Sequence, residues 1–480
     1  MIERGYISPK ILLYAGLVAG LAAIVVCSSS GLLAGVIAIM FLPAALYYLI
    51  QTIRFPIVAF YGLFVLNYFI TSIIRYGNLS GFSVVMDIGL FCTLFAALVH
   101  SILTQKLPWN NGINVLTIGC ALWAIYCFLE VGNPTAVFEA WSTSRGIIYT
   151  GFIVTFLGSV LINRLRYVKH ILFILSILVL LASLKALIQK YIGFDPLERA
   201  WLDQGGAKTH IIATGIRYFS FFTDAGNLGS NMGMAGIVYG IITIYSSNRQ
   251  TKIYYGIVAL LGIYTMFLSG TRGAMAVPLG GLMLFGLISK KAHLVLSTFF
   301  LGILIYLFFA HTYIGQSNPM IRRMRTAFHP TEDASFNVRA ENKKKLAVYL
   351  KNRPFGEGLG LGGVEAQRFA HRVTTTIPHD STYVKLWMET GIVGLCLYLS
   401  ILIASLLRAC YIVMFRVRNN ELRGLLTAML CGVFGLMVSA YGNAFFNQFP
   451  TQIIVFTFLA AALNGQRIDS YIDKEIKQNK

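Results

Sequence analysis

Two arginines and a histidine stand at the edges of apolar runs: Arg217 within 214–229, Arg272 within 267–274 and His379 within 377–382. A guanidinium at the mouth of a membrane span is costly unless it meets an anion, a carboxylate or water. Its planar fork suits two phosphate oxygens. Gly270 and Gly273 flank Arg272 and let backbone approach closely, which favours a site over a headgroup anchor that merely snorkels. Arg217 shares its stretch with Asp224, Asn227 and four aromatics, which at a membrane interface are ordinary belt residues. Asp224 is expected to cap the next helix or to pair with Arg217. His379 follows Pro378 and precedes Asp380-Ser-Thr382, a helix N-cap sequence. A helix N-terminus disfavours imidazolium, so the ring should stay neutral and able to accept a proton near pH 7.

What is missing narrows the chemistry. The chain has no Walker loop, HExxH, GxSxG or DxD sequence in its loops, so neither a metal nor a cofactor is expected. Arginine, arginine and histidine at one membrane face suit metal-free displacement of a pyrophosphate leaving group. The arginines would neutralise the developing charge, and the histidine would deprotonate an attacking hydroxyl. A transporter would instead use Asp87, His100 and Lys185, the ionisable residues inside apolar runs. These are scattered, and Lys185 could snorkel outward. No 20–50-residue period and no duplication marks a repeat-built carrier.

The elements that must hold these residues are membrane helices. The chain has 480 residues, 56% hydrophobic and 12% charged, with a mean hydropathy of +0.69. That composition excludes an ordinary soluble protein and predicts an all-α polytopic membrane protein of about 12–14 helices. Fourteen candidate spans lie near 11–28, 31–50, 55–74, 82–104, 112–130, 146–163, 168–192, 226–246, 253–269, 273–289, 293–310, 386–407, 424–441 and 450–465. The first lacks the short apolar core and small-residue cleavage site of a signal peptide and is expected to be retained. All seven cysteines (27, 92, 120, 127, 396, 410 and 431) fall in or near apolar spans, so neither a disulfide nor a zinc site is expected.

The net charge of +20 points to orientation rather than to nucleic acid. With the N-terminus cytoplasmic, every short basic loop falls on one side: Arg54, Lys106, Arg164/Arg166/Lys169, Arg249/Lys252, Lys290/Lys291 and Arg408/Arg416/Arg418/Arg423, with the basic C-terminal tail. Three longer segments then face outward, 132–145, 191–225 and 311–382. The last holds eleven Lys/Arg against six Asp/Glu, an excess that could draw an anionic substrate. For most of its lysines, a solvated helical face over 340–351 is the plainer reading. The expected organisation is N-terminal spans over 1–216, central spans with the arginine motifs over 217–310, a long loop over 311–385, and C-terminal spans with the tail over 386–480.

The pieces 268–274, 352–360 and 378–395, with 217–227 upstream, resemble the O-antigen ligase/polymerase superfamily. The resemblance implies a metal-independent, inverting glycosyltransferase at the periplasmic face of the bacterial inner membrane. Its donor would be a glycan on undecaprenyl pyrophosphate. By position, Arg217 and Arg272 would hold the pyrophosphate with Arg339 as the loop arginine. His379 would be the base, with Asp224, Asn227, Asp380 and Glu389 in support. Asp380 stands where the family has Asn, so it could orient the imidazole or raise its pKa. Ala225-Gly226 replaces the usual proline. The acceptor could be lipid A–core, a growing glycan or a protein Ser/Thr. The long basic loop favours lipid A–core, whose core is phosphorylated. Membrane lipid is an expected partner; nucleic acid is not.

Overall fold

The computed structural model describes residues 47–77, 79, 81–104, 107–212, 215–289, 292–328 and 334–478. The N-terminus, the span expected at 11–28, most of that at 31–50, and Cys27, Lys106, Lys290, Lys291, Glu332 and Asp333 lie outside these residues. Each of the twelve spans expected from residue 55 onward has a helix. They are α1 (Pro56–Gly77), α2 (Val84–Thr104), α3 (Val115–Leu129), α5 (Arg145–Leu161, after the short α4, Phe138–Thr143), α6 (Leu165–Tyr191), α8 (Ala225–Tyr245, after the short α7, Pro196–Trp201) and α9 (Arg249–Leu268). Next come α10 (Ala276–Ser289), α11 (Ala292–His311), α14 (Thr382–Phe415), α15 (Asn420–Ser439) and α16 (Thr451–Leu463), while α12 (Pro319–Arg325) and α13 (Ala334–Leu350) fill the long loop and α17 (Gly465–Gln478) ends the chain. Among the described residues, ten helical stretches are long and apolar enough to cross a membrane, and two further apolar helices are shorter. This is an all-α polytopic membrane protein.

Contacts group the described part of 1–59 with 93–107 as one compact unit, and that of 60–92 with 108–480 as another. The second contains every candidate residue. Its centre is α8, buried along most of its length against α9, α10 and α15. Small residues let these helices approach, the usual means of packing where lipid removes the hydrophobic drive. A Cβ added at Gly262 of α9 would lie 3.0 Å from the Met232 carbonyl oxygen of α8, and one at Gly435 of α15 would collide with the Val277 carbonyl of α10.

The long loop returns to the bundle through a break in a helix. Within α14, Gly391 has φ 63° and ψ −168°, a conformation that favours glycine. The break frees carbonyls on the preceding turn, and the glycine-rich turn 353–363 takes them up. Glu357 N–H donates to the Met388 carbonyl (3.0 Å), Gly358 N–H to that of Glu389 (2.9 Å), and Val393 N–H to that of Pro354 (3.2 Å). The turn is therefore stitched into α14 by backbone hydrogen bonds, satisfying groups that would otherwise be orphaned. Leu346 and Leu350 of α13 pack with Ile377 and Met388, fixing the approach of the chain to His379.

Candidate active site

Arg217 follows a two-stranded hairpin pairing Ile211 with Ile216. Its Nη1 donates to the Thr209 carbonyl (3.1 Å) and its Nη2 to Thr271 Oγ1 (2.9 Å). Nε is buried without a partner. Burial lowers the pKa of this guanidinium; Asp224 acts the other way, while Arg272 and Arg339 push it lower still. The two other candidate arginines thus stand close enough to be felt, and the group has unspent capacity for an anion.

Arg272 opens a 3₁₀ turn, Arg272–Met275, directly after α9 ends. Its Nη1 donates to Thr326 Oγ1 at 3.0 Å, tying it to the start of the long loop. The link between Arg217 and Arg272 runs over Gly270 at φ 58°. A Cβ there would lie 3.4 Å from Arg217 Cγ and 3.6 Å from Arg323 Nε, which places Arg323 at the same spot. Arg323 belongs to the basic run 321–325, whose repetition hid which member faces the site. Arg339 of α13 pairs with Asp380 through Nε to Oδ2 at 3.2 Å, both half-exposed. Four arginines gather with two carboxylates, Asp224 and Asp380.

His379 is half-buried against Gly363, whose φ of 97° and missing Cβ make room for the imidazole; a Cβ there would run into Nδ1. Nδ1 is buried and has no hydrogen-bond partner. Burial, then the positive charge of Lys385, holds the pKa down to about 4. The ring is neutral as expected, but desolvation is the main cause rather than a helix end. Asp380 neither raises this pKa nor bonds Nδ1, because its carboxylate is engaged by Arg339. The neighbouring cap is Ser381, whose Oγ accepts from Val384 N–H at 3.4 Å.

The supporting residues divide. Asp224 caps α8, accepting from Gly226 N–H (2.6 Å) and Asn227 N–H (3.0 Å). Asn227 is a buried strut that donates to the Phe449 carbonyl (2.8 Å) and accepts from Thr451 Oγ1 (2.9 Å). Glu389 lies behind the glycine turn, where Oε1 accepts from Gly362 N–H at 3.3 Å.

Two features escaped the sequence reading. Buried Glu357 locks the glycine turn: Arg353 and Arg372 (2.8 Å) pair with its carboxylate and Tyr349 donates to it (3.0 Å). Arg372 also donates to the Thr135 carbonyl at 2.5 Å, so 132–145 is clamped to the turn. The second is the connection 440–450. Asn443 packs against Gly273, and its carbonyl accepts from Thr382 N–H (3.2 Å) and Oγ1 (3.0 Å). Gln448 Oε1 accepts from Thr223 Oγ1 at 2.5 Å. Asn443, Asn447 and Gln448 between two apolar runs were the available signal. The residues expected for transport each have a local partner: Asp87 with Arg145 (2.6 Å), Lys185 with Asp195 (2.8 Å) and Glu198 (3.0 Å), and His100 with the Ile53 carbonyl (3.2 Å).

A cluster of arginines, one of which pairs with the residue after His379, is an arrangement that suits an anion. Residues 257–399 match the O-antigen ligase family. The matched region runs from within α9 into α14, so it contains Arg272, Arg339, His379, Asp380 and Glu389, while Arg217, Asp224 and Asn227 come from outside it. The match supports an O-antigen ligase- or polymerase-like function acting on lipid-linked glycans in general terms. No curated protein matches the chain.

Proposed function

We propose that this protein is a metal-independent, inverting glycosyltransferase of the inner membrane. It moves a glycan from undecaprenyl pyrophosphate to an acceptor hydroxyl at the periplasmic face, with lipid A–core as the favoured acceptor. The observation that carries this reading is that Arg272 and Arg339 both lie within electrostatic reach of Arg217, with Arg339 paired to Asp380, the residue next to His379. The pyrophosphate sits among the arginines. His379 takes the acceptor proton as the acceptor oxygen bonds the anomeric carbon. The bond from that carbon to the phosphate oxygen breaks and its electron pair leaves with the pyrophosphate, where the guanidinium groups stabilise it. Nδ1 is walled off by Gly363, so Nε2 is the nitrogen that meets the substrate. An imidazole with a pKa of about 4 is a weak base in the free protein; a bound pyrophosphate anion raises it toward the working range.

The test offers purified protein the lipid-linked donor with lipid A–core, with unextended repeat-unit donor, or with a Ser/Thr peptide. Transfer to lipid A–core alone supports the reading, and transfer to repeat units or to peptide assigns a polymerase or a protein ligase that uses the same donor site. Donor bound but passed to nothing would point to a lipid carrier, to be checked by a flipping assay on Asp87→Asn.

A further inference from the structure

Three stretches that carry candidate groups meet at one side chain, Asn443, to which the transfer reading gives no part. Its backbone joins it to the His379 stretch. Thr382, three residues after His379 and the first residue of α14, donates its N–H to the carbonyls of Ala440 (3.0 Å) and Asn443 (3.2 Å), and its Oγ1 to that of Asn443 (3.0 Å). Ser381 Oγ also donates to the Ala440 carbonyl at 3.2 Å. Carbonyls left over at the end of α15 thus take up the first donors of α14, and the two helix ends satisfy each other.

The side chain of Asn443 reaches the arginine stretches. It is half-buried, in a slot between the Arg272 turn and the start of α8. A Cβ added at Gly273 would run into its Nδ2, and one at Gly226, two residues after the Asp224 cap, would lie 3.6 Å from its Oδ1. The slot exists because both residues are glycine. Nδ2 donates to Ser439 Oγ (3.3 Å), which in turn donates to the Gly273 carbonyl (2.8 Å). Two hydrogen bonds in series therefore run from the carboxamide to the backbone next to Arg272, each polarising the other. Close approach of small residues is ordinary packing between membrane helices. Packing alone would be served by an apolar side chain; the carboxamide also orders a hydroxyl onto the Arg272 turn.

We propose that Asn443 is a positioning residue for the transfer: it fixes the Arg272 turn against the start of α14, and so sets the bound pyrophosphate in register with His379. This rests on the transferase reading. Asn443 acts through its neighbours and need not touch the substrate. Its links span 61 residues to Thr382 and, through Ser439, 166 residues to Gly273, so they fix tertiary placement rather than local structure. Displacement tolerates little error in that placement, since a shift of about 1 Å can cost on the order of 100-fold in rate.

The test measures single-turnover transfer by the full-length protein, with undecaprenyl-pyrophosphate glycan bound and the acceptor that the native protein uses. Asn443→Ala keeps the backbone carbonyl for Thr382 and removes the carboxamide. Its rate should fall about tenfold or more, with donor binding within about twofold of native. Gly273→Ala puts a methyl where Nδ2 lies and should slow transfer by a similar factor. In the double variant the methyl enters the vacated slot, so the rate should be no lower than in either single variant. Should a single variant fail to fold, Ser439→Ala replaces it; this breaks the same chain without added bulk and should slow transfer as much. A native rate in folded Asn443→Ala overturns the proposal. Donor binding lost in step with the rate overturns it too, making the residue part of the donor site. Effects that multiply in the double variant also overturn it, since the methyl and the carboxamide would then not share a slot. A native protein that transfers to no acceptor defeats the transferase reading and this proposal with it, whereas an active native protein with equally active variants defeats the proposal alone.

Discussion

Two groups of ionisable side chains sit at helix ends in this molecule, and they are built differently. In the first, Lys185 lies between Asp195 and Glu198 while Tyr76 donates to Asp195 (2.6 Å) and Gln189 to Glu198 (2.7 Å). Asp195 and Glu198 also form the capping box of α7. Every charge there is answered, and opposing partners hold the Asp195 carboxyl below its ordinary range despite the cost of burial. In the second, Arg217, Arg272, Arg323 and Arg339 share a region with two carboxylates, one spent on capping α8 and the other on Arg339. Burial, with like charges adding to it, depresses the Arg217 guanidinium, which keeps a buried N–H without a partner. A satisfied network stabilises the fold; an unbalanced one stores a demand for an anion.

The contrast is sharpest at the arginines. Arg272→Lys and Arg217→Lys should each lower kcat/KM by about 10²–10³-fold, the cost of losing a donor to a developing oxyanion. A lysine keeps the charge but lacks the planar fork. Steady-state kinetics with donor varied checks this, and native activity in either variant would mean that the cluster does not meet the pyrophosphate. Glu357→Ala should next cost about 3 kcal/mol, the lower end of what breaking a buried ion pair costs because both arginines are partly exposed; denaturant unfolding in detergent reads it. Lys185→Met should lower the unfolding temperature by leaving Glu198 buried and unpaired, yet keep kcat within about twofold. Loss of activity with the fold retained would erase the distinction between the two networks.

The pH dependence is a finer test. His379 is held to about 4, against about 6.5 for a free imidazole. As a base it must be unprotonated, so kcat/KM should stay flat through pH 6.5 and fall only as the pH approaches 4. The limb for kcat should lie higher, because bound pyrophosphate stabilises imidazolium. For stability, the folded pKa is below the unfolded value, so this residue's contribution is lost as pH falls from about 6.5 toward 4. The smallest effect belongs to Asp380→Asn, which frees Arg339 from a half-exposed pair worth about 1 kcal/mol or less and should change kcat/KM only a few-fold.

The helices were legible because each apolar run is long enough to read on its own, and twelve expected spans from 55–74 to 450–465 have helices. The all-α polytopic class follows from the same signal. Arg272 was legible as a costly group at a span edge, and His379 as a residue just before a helix N-cap sequence. What escaped depends on chain segments far apart in sequence. The break at Gly391 sits in an unbroken apolar pattern, and only the docking of Pro354–Gly358 explains it. Arg372 meets Thr135 across 237 residues, and Gln448 meets Thr223 across 225. Asp380 is adjacent to His379 in the chain, so it read as the partner of the imidazole. Its carboxylate instead meets α13, where Arg339 offers a full charge.

The most direct measurement is a single-turnover transfer with labelled undecaprenyl-pyrophosphate glycan already bound, comparing native protein with His379→Ala. The pyrophosphate is assigned to the arginines rather than to His379, so the variant should bind donor as the native protein does and transfer it at least about 100-fold more slowly. Transfer at the native rate by the variant would contradict the assignment of His379 as the base.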